Sequence, residues 1–328
     1  MNETQELLRY VWQTDNRFTI PVSGTGSAAM EATLANCVEP GEVVLVGVNG
    51  YFGERLCDMA SRYGAVVRTI EKHWGEVFSL EEIGAGLEEH RPAILGLVHG
   101  ETSTGAMQPL EGVGKLCREF NCLLLLDTVT SLGGAPVFLD AWHVDLAYSG
   151  SQKCLSCPPG IAPLTFGERA LAKLNSRKSK VPNWYLDMTL VGKYWGTERT
   201  YHHTAPVTMN YSLREALRMI AEEGLEARWQ RHLANAELLW EGLADLGIQC
   251  HVDKEFRLPS LTTALIPDGV DGKAVSGYLL RNYNIEMAAG LGQLAGKVWR
   301  IGLMGFNSRA ENVTLLLSAL KDALQAAG

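Results

Sequence analysis

A single lysine follows a short apolar stretch near the middle of the chain. Residues 144–148 are mostly apolar, and small residues then lead to Gln152 and Lys153. Burial penalises the charged form of a lysine, so a buried Lys153 has a lowered pKa, and a neutral lysine is a nucleophile for carbonyl groups. The same pattern also fits a lysine at the start of a solvated loop, because lysines readily stay exposed. Groups elsewhere in the chain must decide between these two interpretations.

A glycine-rich turn and an aspartate are candidate partners for this lysine. Residues 23–27, Ser-Gly-Thr-Gly-Ser, lie between a predicted strand at 18–22 and a predicted helix. Such a turn presents backbone N–H groups at a helix N-terminus and can bind an anion. It also fits an ordinary tight turn, and it lacks the third glycine of the dinucleotide-binding motif because Ala29 stands there. Asp127 directly follows the apolar run 122–126 and so lies at the end of a predicted strand.

Alternating strands and helices position these groups. The run 43–48 is almost wholly apolar, as in a strand that is buried on both faces. Alternation of this kind predicts an α/β fold with a mostly parallel sheet covered by helices on both faces. The predicted strands are 18–22, 43–48, 65–70, 93–98, 122–126 and 162–166, and the predicted helices are 2–13, 53–63, 79–89 and 112–120.

The polar candidates follow the carboxyl ends of these strands. Residues 23–27, residues 49–52, Thr102, Asp127 and Lys153 all lie at such ends or just beyond them. Ligands of parallel sheets gather outside the carboxyl ends of the strands. We therefore expect these residues to converge on one site.

The second half of the chain differs in composition and in its pattern of predicted helices and strands. A polar stretch rich in aromatic residues covers 184–204 and contains the neighbouring pair His202 and His203. Adjacent histidines rarely chelate one ion and no third ligand is spaced with them, so we predict no metal site. Long helices are predicted at 212–222 and 226–246, and a smaller α+β region follows. We predict a large domain at 1–223 and a small domain at 224–328.

Composition excludes several classes of function. The 328 residues are 46% hydrophobic and 20% charged, as in a globular protein. The net charge of −8 argues against a nucleic-acid partner, and no apolar run or N-terminal pattern indicates a membrane span or a signal peptide. Seven cysteines, an odd number, favour reduced thiols and a cytoplasmic setting.

The converging groups match the needs of one cofactor. Pyridoxal 5′-phosphate requires N–H donors for its phosphate, a lysine for covalent attachment, and a carboxylate that keeps the pyridine nitrogen protonated. The turn at 23–27, Lys153 and Asp127 supply these groups. Phe52 is placed to contact the face of the ring, although ordinary core packing also accounts for it.

Six stretches of the chain resemble class V aminotransferases of fold type I, in particular the alanine–glyoxylate and serine–pyruvate (serine–glyoxylate) aminotransferases. They occur in the order and spacing of that family and cover nearly the whole chain. The resemblance implies a homodimer whose active sites lie at the subunit interface. The matching stretches are residues 22–27, 99–105, 125–128, 148–153, 201–204 and 297–303.

The resemblance assigns roles around the cofactor ring and the substrate. Lys153 matches the lysine that forms the Schiff base and moves the substrate proton. Asp127 matches the partner of the pyridine nitrogen, Phe52 the stacking residue, and Thr102 the donor to the phenolic oxygen. Arg300 matches the residue that binds the substrate carboxylate, for which a planar guanidinium is well suited.

The resemblance also assigns the phosphate contacts. Tyr201 and Thr204 match residues that reach the phosphate in the partner subunit, so it implies that activity depends on the dimer. The positions within the same subunit that match the family's phosphate-binding residues are Thr25, Gly26, Ser27 and Gln152.

The implied reaction is transamination between alanine or serine and glyoxylate, giving glycine and pyruvate or hydroxypyruvate. The sequence shows no second cation for a distal carboxylate, which favours such small donors. Two alternatives stay open: another class V enzyme that acts on a different amine, including a lyase or desulfurase, or a truncated cofactor-binding protein without turnover. A desulfurase needs a cysteine on a mobile loop, and Cys154 and Cys157 lie too close to Lys153 for that role. Family members begin several tens of residues earlier, so we expect their N-terminal segment to be missing here.

Overall fold

The computed structural model describes residues 1–327, which form a sequence of helices and strands. The helices are α1 (Asn2–Trp12), α2 (Gly26–Cys37), α3 (Tyr51–Arg62), α4 (Leu80–His90), α5 (Val113–Glu119), α6 (Glu168–Asn175), α7 (Met188–Trp195), α8 (Val207–Glu223), α9 (Leu225–Asp245), α10 (Gly272–Tyr283) and α11 (Ala310–Ala327). The strands are β1 (Phe18–Ser23), β2 (Val43–Val48), β3 (Val66–Glu71), β4 (Ile94–Val98), β5 (Gly100–Glu101), β6 (Ala106–Met107), β7 (Leu123–Asp127), β8 (Leu146–Tyr148), β9 (Ile161–Phe166), β10 (Leu261–Leu265), β11 (Ala288–Ala289) and β12 (Val298–Gly302).

The main sheet has the strand order β1-β9-β8-β7-β4-β2-β3 within residues 1–327. Neighbouring strands from β3 to β8 are parallel, whereas β9 is antiparallel to both β8 and β1. The prediction of a mostly parallel α/β sheet is confirmed. Because β2, β4, β7 and β8 run in one direction, their carboxyl ends meet at one edge of the sheet.

Apolar side chains on the two faces of this sheet form two separate cores. Leu124 and Leu126 of β7 pack with residues of α1, α4, α5 and α8. Leu123 and Leu125 of the same strand pack with residues of α2, α3, α6 and α7. This alternation follows from the period of two in a strand, and it buries every residue of β7.

A second, antiparallel sheet has the order β10-β12-β11 and packs against α9, α10 and α11 around a core of its own. Gly224 lies between α8 and α9 with a φ of 82°, a conformation that glycine adopts without strain. The domain division at residue 224 stays a prediction.

Helix α7 lies within the stretch 184–204, which the sequence analysis described only as polar and rich in aromatic residues. Asp187 accepts a hydrogen bond from the backbone N–H of Thr189 and so caps α7, which buries Met188, Val191 and Trp195. The polar and aromatic residues around it concealed this apolar face. The helix predicted at 53–63 begins earlier, at Tyr51.

No helix within residues 1–327 combines the length and apolar character needed to cross a membrane.

Candidate active site

A cavity of about 220 Å³ lies at the carboxyl ends of the parallel strands. It contains most of the site residues predicted from the sequence, and it adds several that were not predicted. The predicted residues among its walls are Thr25, Gly26, Ser27, Phe52, Thr102, Asp127, Gln152 and Lys153. The additional wall residues include Arg55, Val129, Thr130 and Tyr148.

The N-terminus of α2 forms one wall of this cavity. Thr25 is the N-cap residue, and its carbonyl accepts a hydrogen bond from the N–H of Ala28 at 2.8 Å. In the described chain no side chain caps this helix. The first N–H groups of a helix have no partner within the helix, so those of Gly26 and Ser27 can bind an anion.

Asp127 ends β7 and is buried beside the cavity. The parallel register pairs it with Tyr148 of β8, whose hydroxyl donates to Oδ2 at 2.7 Å, and the N–H of Val129 donates to Oδ1 at 2.8 Å. Burial raises the pKa of Asp127 to about 6, although these hydrogen bonds and the charges of Arg55 and Lys153 oppose the shift. A cation bound in the cavity would hold this carboxylate in its charged form.

Lys153 lies in the turn after β8 and is partly buried. Burial lowers the pKa of Lys153, and the positive charge of Arg300 lowers it further. This environment supports the buried interpretation over the solvated loop. The lowered pKa shifts the equilibrium toward the neutral amine, which is the nucleophilic form.

The turn that carries Lys153 is fixed by several hydrogen bonds. The N–H of Cys157 donates to the carbonyl of Ser151 at 3.0 Å. Arg228 of α9 donates to the carbonyl of Cys154 at 2.7 Å. These bonds hold the backbone on the carboxyl side of Lys153, so the amine is presented from a rigid support.

A buried carboxylate connects two other walls of the cavity. Glu101 accepts hydrogen bonds from the backbone N–H of Phe52 at 3.0 Å and from the N–H and hydroxyl of Ser103 at 3.0 and 2.6 Å. A Cβ at Gly50 would lie 2.3 Å from Cγ of Glu101, so only glycine allows this approach. Burial raises the pKa of Glu101 to about 7. Glu101 thereby fixes Phe52 and the loop of Thr102 together, a role that the sequence did not reveal.

Arg300 lies on β12, next to the cavity rather than in its wall. Its Nε donates to the carbonyl of Ala289 at 2.8 Å, and Nη1 donates to the carbonyl of Thr102 at 3.3 Å. These carbonyls orient the guanidinium without a carboxylate partner. Within the described residues they leave Nη2 for a ligand.

Tyr201 and Thr204 lie outside the cavity of their own chain. Both side chains are exposed, Tyr201 by 73%, and their hydroxyl oxygens are 3.3 Å apart. His203 of the same segment lies 2.6 Å from the hydroxyl of Ser23, and its other ring nitrogen lies 2.8 Å from His202. Both histidines thus bond within the protein, and residues 1–327 contain no cluster of three or more potential metal ligands.

The residues of the cavity fit pyridoxal phosphate. The uncapped N-terminus of α2 suits a phosphate, and the buried carboxylate of Asp127 suits a pyridinium nitrogen. Lys153 provides an amine with a lowered pKa, and Phe52 provides an aromatic face. Each group stands in the wall of the same cavity, so one ligand can contact all of them.

Comparisons with known proteins agree with this fit. The family model described as aminotransferase class-V matches residues 1–316. The chain is 46% identical to the alanine–glyoxylate aminotransferase of Callithrix jacchus over 99% of its own length and 80% of the relative's. A crystal structure of alanine–glyoxylate aminotransferase from Nostoc sp. superimposes with a TM-score of 0.98 at 69% identity, covering 99% of this chain and 86% of that one. The ureidoglycine–glyoxylate aminotransferase of Bacillus subtilis also gives a TM-score of 0.98, at 42% identity, covering 99% and 84%.

Proposed function

The chain belongs to the class-V aminotransferase family, and from this premise we propose that it transfers the amino group of alanine or serine to glyoxylate. The products are glycine and either pyruvate or hydroxypyruvate. The observation that carries the proposal is the cavity in which Lys153, Asp127 and the N-terminus of α2 meet. Glyoxylate as the acceptor is supported by the names of the relatives from Nostoc and Callithrix.

Pyridoxal phosphate is the cofactor, and when bound it delocalises the negative charge that develops at Cα of the amino acid. We propose that Lys153 attaches it and that Asp127 pairs with its ring nitrogen. Phe52 would contact the ring, and Thr102 would donate to the phenolic oxygen. The phosphate-binding residues proposed within the subunit are Thr25, Gly26, Ser27 and Gln152.

The chain's own groups account for substrate binding and proton movement. Arg300 would bind the α-carboxylate, because Nη2 has no acceptor among the described residues. Lys153 has a lowered pKa, which favours loss of its own proton, and once displaced by the amino group of the substrate its amine can take the proton from Cα. The rigid turn keeps the amine close to that carbon through both halves of the reaction.

The identity of the amino donor has one specific rival. The Bacillus subtilis relative, whose fold matches equally well, is named for ureidoglycine. A panel of alanine, serine, glutamate and ureidoglycine, each with glyoxylate, therefore tests the proposal, with glycine and the oxo acid product quantified. We expect the highest kcat/KM for alanine or serine. A preference for ureidoglycine would establish the alternative, and absence of glycine with every donor would refute the proposal.

The role of Lys153 has a direct spectroscopic test. Lys153→Ala should remove the visible absorbance of the bound cofactor and abolish turnover. Lys321→Ala, at an exposed position of α11, is a matched control that should retain both. A Lys153→Ala protein that keeps the band and turnover would contradict the assignment.

We also propose a homodimer in the cytoplasm, with the large and small domains divided at residue 224. The exposure of Tyr201 and Thr204 supports a role toward the phosphate of the partner subunit. The free cysteines among residues 1–327 support a reducing compartment.

A mixing experiment tests the shared site. Lys153→Ala and Tyr201→Phe/Thr204→Ala subunits should each be impaired alone. A hybrid dimer contains one site in which the cofactor lysine and the partner contacts are all intact, so mixing should restore part of the activity. No recovery in hybrids verified by differential tagging would contradict the shared site.

A further inference from the structure

Arg55 is a cation in the wall of the cavity that the roles above do not use. It belongs to α3, and its guanidinium carbon lies 4.9 Å from the ring centroid of Phe52 and 5.3 Å from that of Tyr51. Its Nη1 lies 3.4 Å from the hydroxyl of Ser27, at the start of α2. None of the ion pairs found among residues 1–327 involves Arg55. Its charge faces the cavity without a carboxylate partner.

The charges of the site require a further cation near the phosphate. A phosphate monoester carries about −1.5 to −2 charges at neutral pH. The N-terminus of a helix supplies only about +0.5. Thr25, Ser27 and Gln152 are neutral, and Lys153 is committed to the carbonyl carbon of the cofactor. Asp127 pairs with the ring nitrogen and supplies no positive charge, so the groups assigned so far leave the phosphate undercompensated.

We propose that the guanidinium of Arg55 binds the phosphate of pyridoxal phosphate together with the N-terminus of α2. Phe52 and Arg55 lie on one face of α3, because side chains three positions apart in a helix are neighbours. The same helix thus supplies a contact to the ring and the cation for the phosphate. The approach of Arg55 to Ser27 places the cation at the proposed anion site. This proposal rests on the cofactor site described under the proposed function.

A second role for Arg55 must be separated from this one. Its charge also lowers the pKa of Asp127, and its guanidinium packs against the Phe52 ring. Both of those effects act on the cofactor ring and not on the phosphate. Pyridoxal, which has the ring and the aldehyde but no phosphate, therefore distinguishes the two roles.

The test is equilibrium binding to cofactor-free protein, followed by visible absorbance. Wild type, Arg55→Gln and Arg55→Lys are each titrated with pyridoxal phosphate and with pyridoxal. Arg62→Gln is the control, because Arg62 lies on the same helix but is exposed and paired with Asp58. We expect Arg55→Gln to weaken binding of pyridoxal phosphate by about 10- to 100-fold, the value of one or two charge-assisted hydrogen bonds. Binding of pyridoxal should weaken far less, because only the effects of Arg55 on the ring are lost there, and its retention also shows that the variant is folded.

Further measurements sharpen this result. Arg55→Lys keeps the charge but loses the planar donor pair, so its loss should be smaller than that of Arg55→Gln. Inorganic phosphate should compete with pyridoxal phosphate in the wild type and less effectively in Arg55→Gln. Equal weakening of both cofactor forms, or unchanged binding of pyridoxal phosphate, would overturn the role of Arg55. Wild-type protein that binds neither compound would instead overturn the cofactor site as a whole.

Discussion

Asp127 and Asp145 are buried aspartates on neighbouring parts of one sheet, but they lie at opposite ends of its strands. Asp145 directly precedes β8, and its Oδ2 accepts hydrogen bonds from Arg169 at 2.8 Å and from the N–H of Leu124 at 2.9 Å. Asp127 ends β7 and accepts hydrogen bonds from neutral groups, the hydroxyl of Tyr148 and a backbone N–H. Both side chains are almost wholly removed from solvent.

The difference lies in what neutralises each charge. Burial raises the pKa of both carboxyl groups, but Asp145 has a guanidinium in direct contact, whereas Arg55 and Lys153 act on Asp127 only through their charges. A buried carboxylate that forms an ion pair within the protein has a structural role. A buried carboxylate that faces a cavity without a cationic partner is available to a cationic ligand. The two aspartates are equally buried, but Asp145 stabilises the fold and Asp127 is available to a ligand.

The largest expected effect is on activity at Asp127. Asp127→Asn removes the charge that pairs with the pyridine nitrogen, so kcat should fall by about 10²- to 10³-fold, as for loss of a preorganised electrostatic contact. The shape of the side chain is nearly kept, so the cofactor-free protein should fold normally. Steady-state kinetics and thermal unfolding measure the two properties. If kcat of Asp127→Asn were unchanged, Asp127 would not pair with the cofactor and would not differ in role from Asp145.

The second effect concerns stability at Asp145. Asp145→Asn leaves Arg169 without its anion, and we expect the free energy of unfolding to fall by about 2–3 kcal/mol. The value of kcat per folded molecule should stay at the wild-type level, because Asp145 lies at the other end of the strands. Urea denaturation and active-site titration measure these quantities. A loss of kcat comparable to that of Asp127→Asn would contradict a structural role.

Many of the helices and strands of the domain that contains these aspartates are predictable from residues close together in the sequence. The apolar run of β2 predicted a strand with the observed bounds. The helix predicted at 79–89 is α4, and Ser79 and Glu82 form a capping box at its start. In each case the signal depends on residues close together in sequence, which is why a single sequence contains it.

Other parts of the site depend on register and on neighbours in space. Tyr148 becomes a partner of Asp127 only because the parallel register of β7 and β8 sets them side by side. Glu101 reaches Phe52 across the close approach at Gly50, which no local pattern encodes. Arg55 did carry a signal, since it stands three positions after Phe52, but the helix predicted from 53 excluded Phe52 and separated the two.

The pH dependence of stability tests the unpaired state of Asp127. Its folded pKa of about 6 lies above the unfolded value of about 3.9, so the folded protein binds this proton more tightly. The resulting contribution is fully present below the unfolded pKa and is lost as the pH rises through 6. Between pH 4.5 and 8, wild-type cofactor-free protein should lose on the order of 2 kcal/mol relative to Asp127→Asn.

Urea denaturation of both proteins across that range measures the difference. Subtracting the variant removes the contribution of other titrating groups, including Glu101. Addition of pyridoxal phosphate should abolish the difference for wild type, because a pyridinium partner then favours the charged form. If the free energies of unfolding of the two cofactor-free proteins changed in parallel with pH, Asp127 would already have a partner that keeps it charged in the folded protein.

The smallest effect is expected at the neutral partner of Asp127. Tyr148→Phe deletes a hydroxyl that donates to the charged carboxylate, so the pKa of Asp127 should rise further. We expect kcat to fall by roughly fivefold, equivalent to about 1 kcal/mol, and the acidic limb of the pH–kcat profile to move to higher pH. Tyr63→Phe is the matched control, because its hydroxyl bonds Glu31 at 2.7 Å outside the cavity. If Tyr148→Phe instead matched the loss in Asp127→Asn, the tyrosine and not a bound cation would be what keeps the carboxylate charged. A small loss with a shifted acidic limb means that the Tyr148 hydroxyl only lowers the pKa of Asp127. The positive charge that pairs with Asp127 then comes from the bound ligand, whereas Arg169 provides it for Asp145.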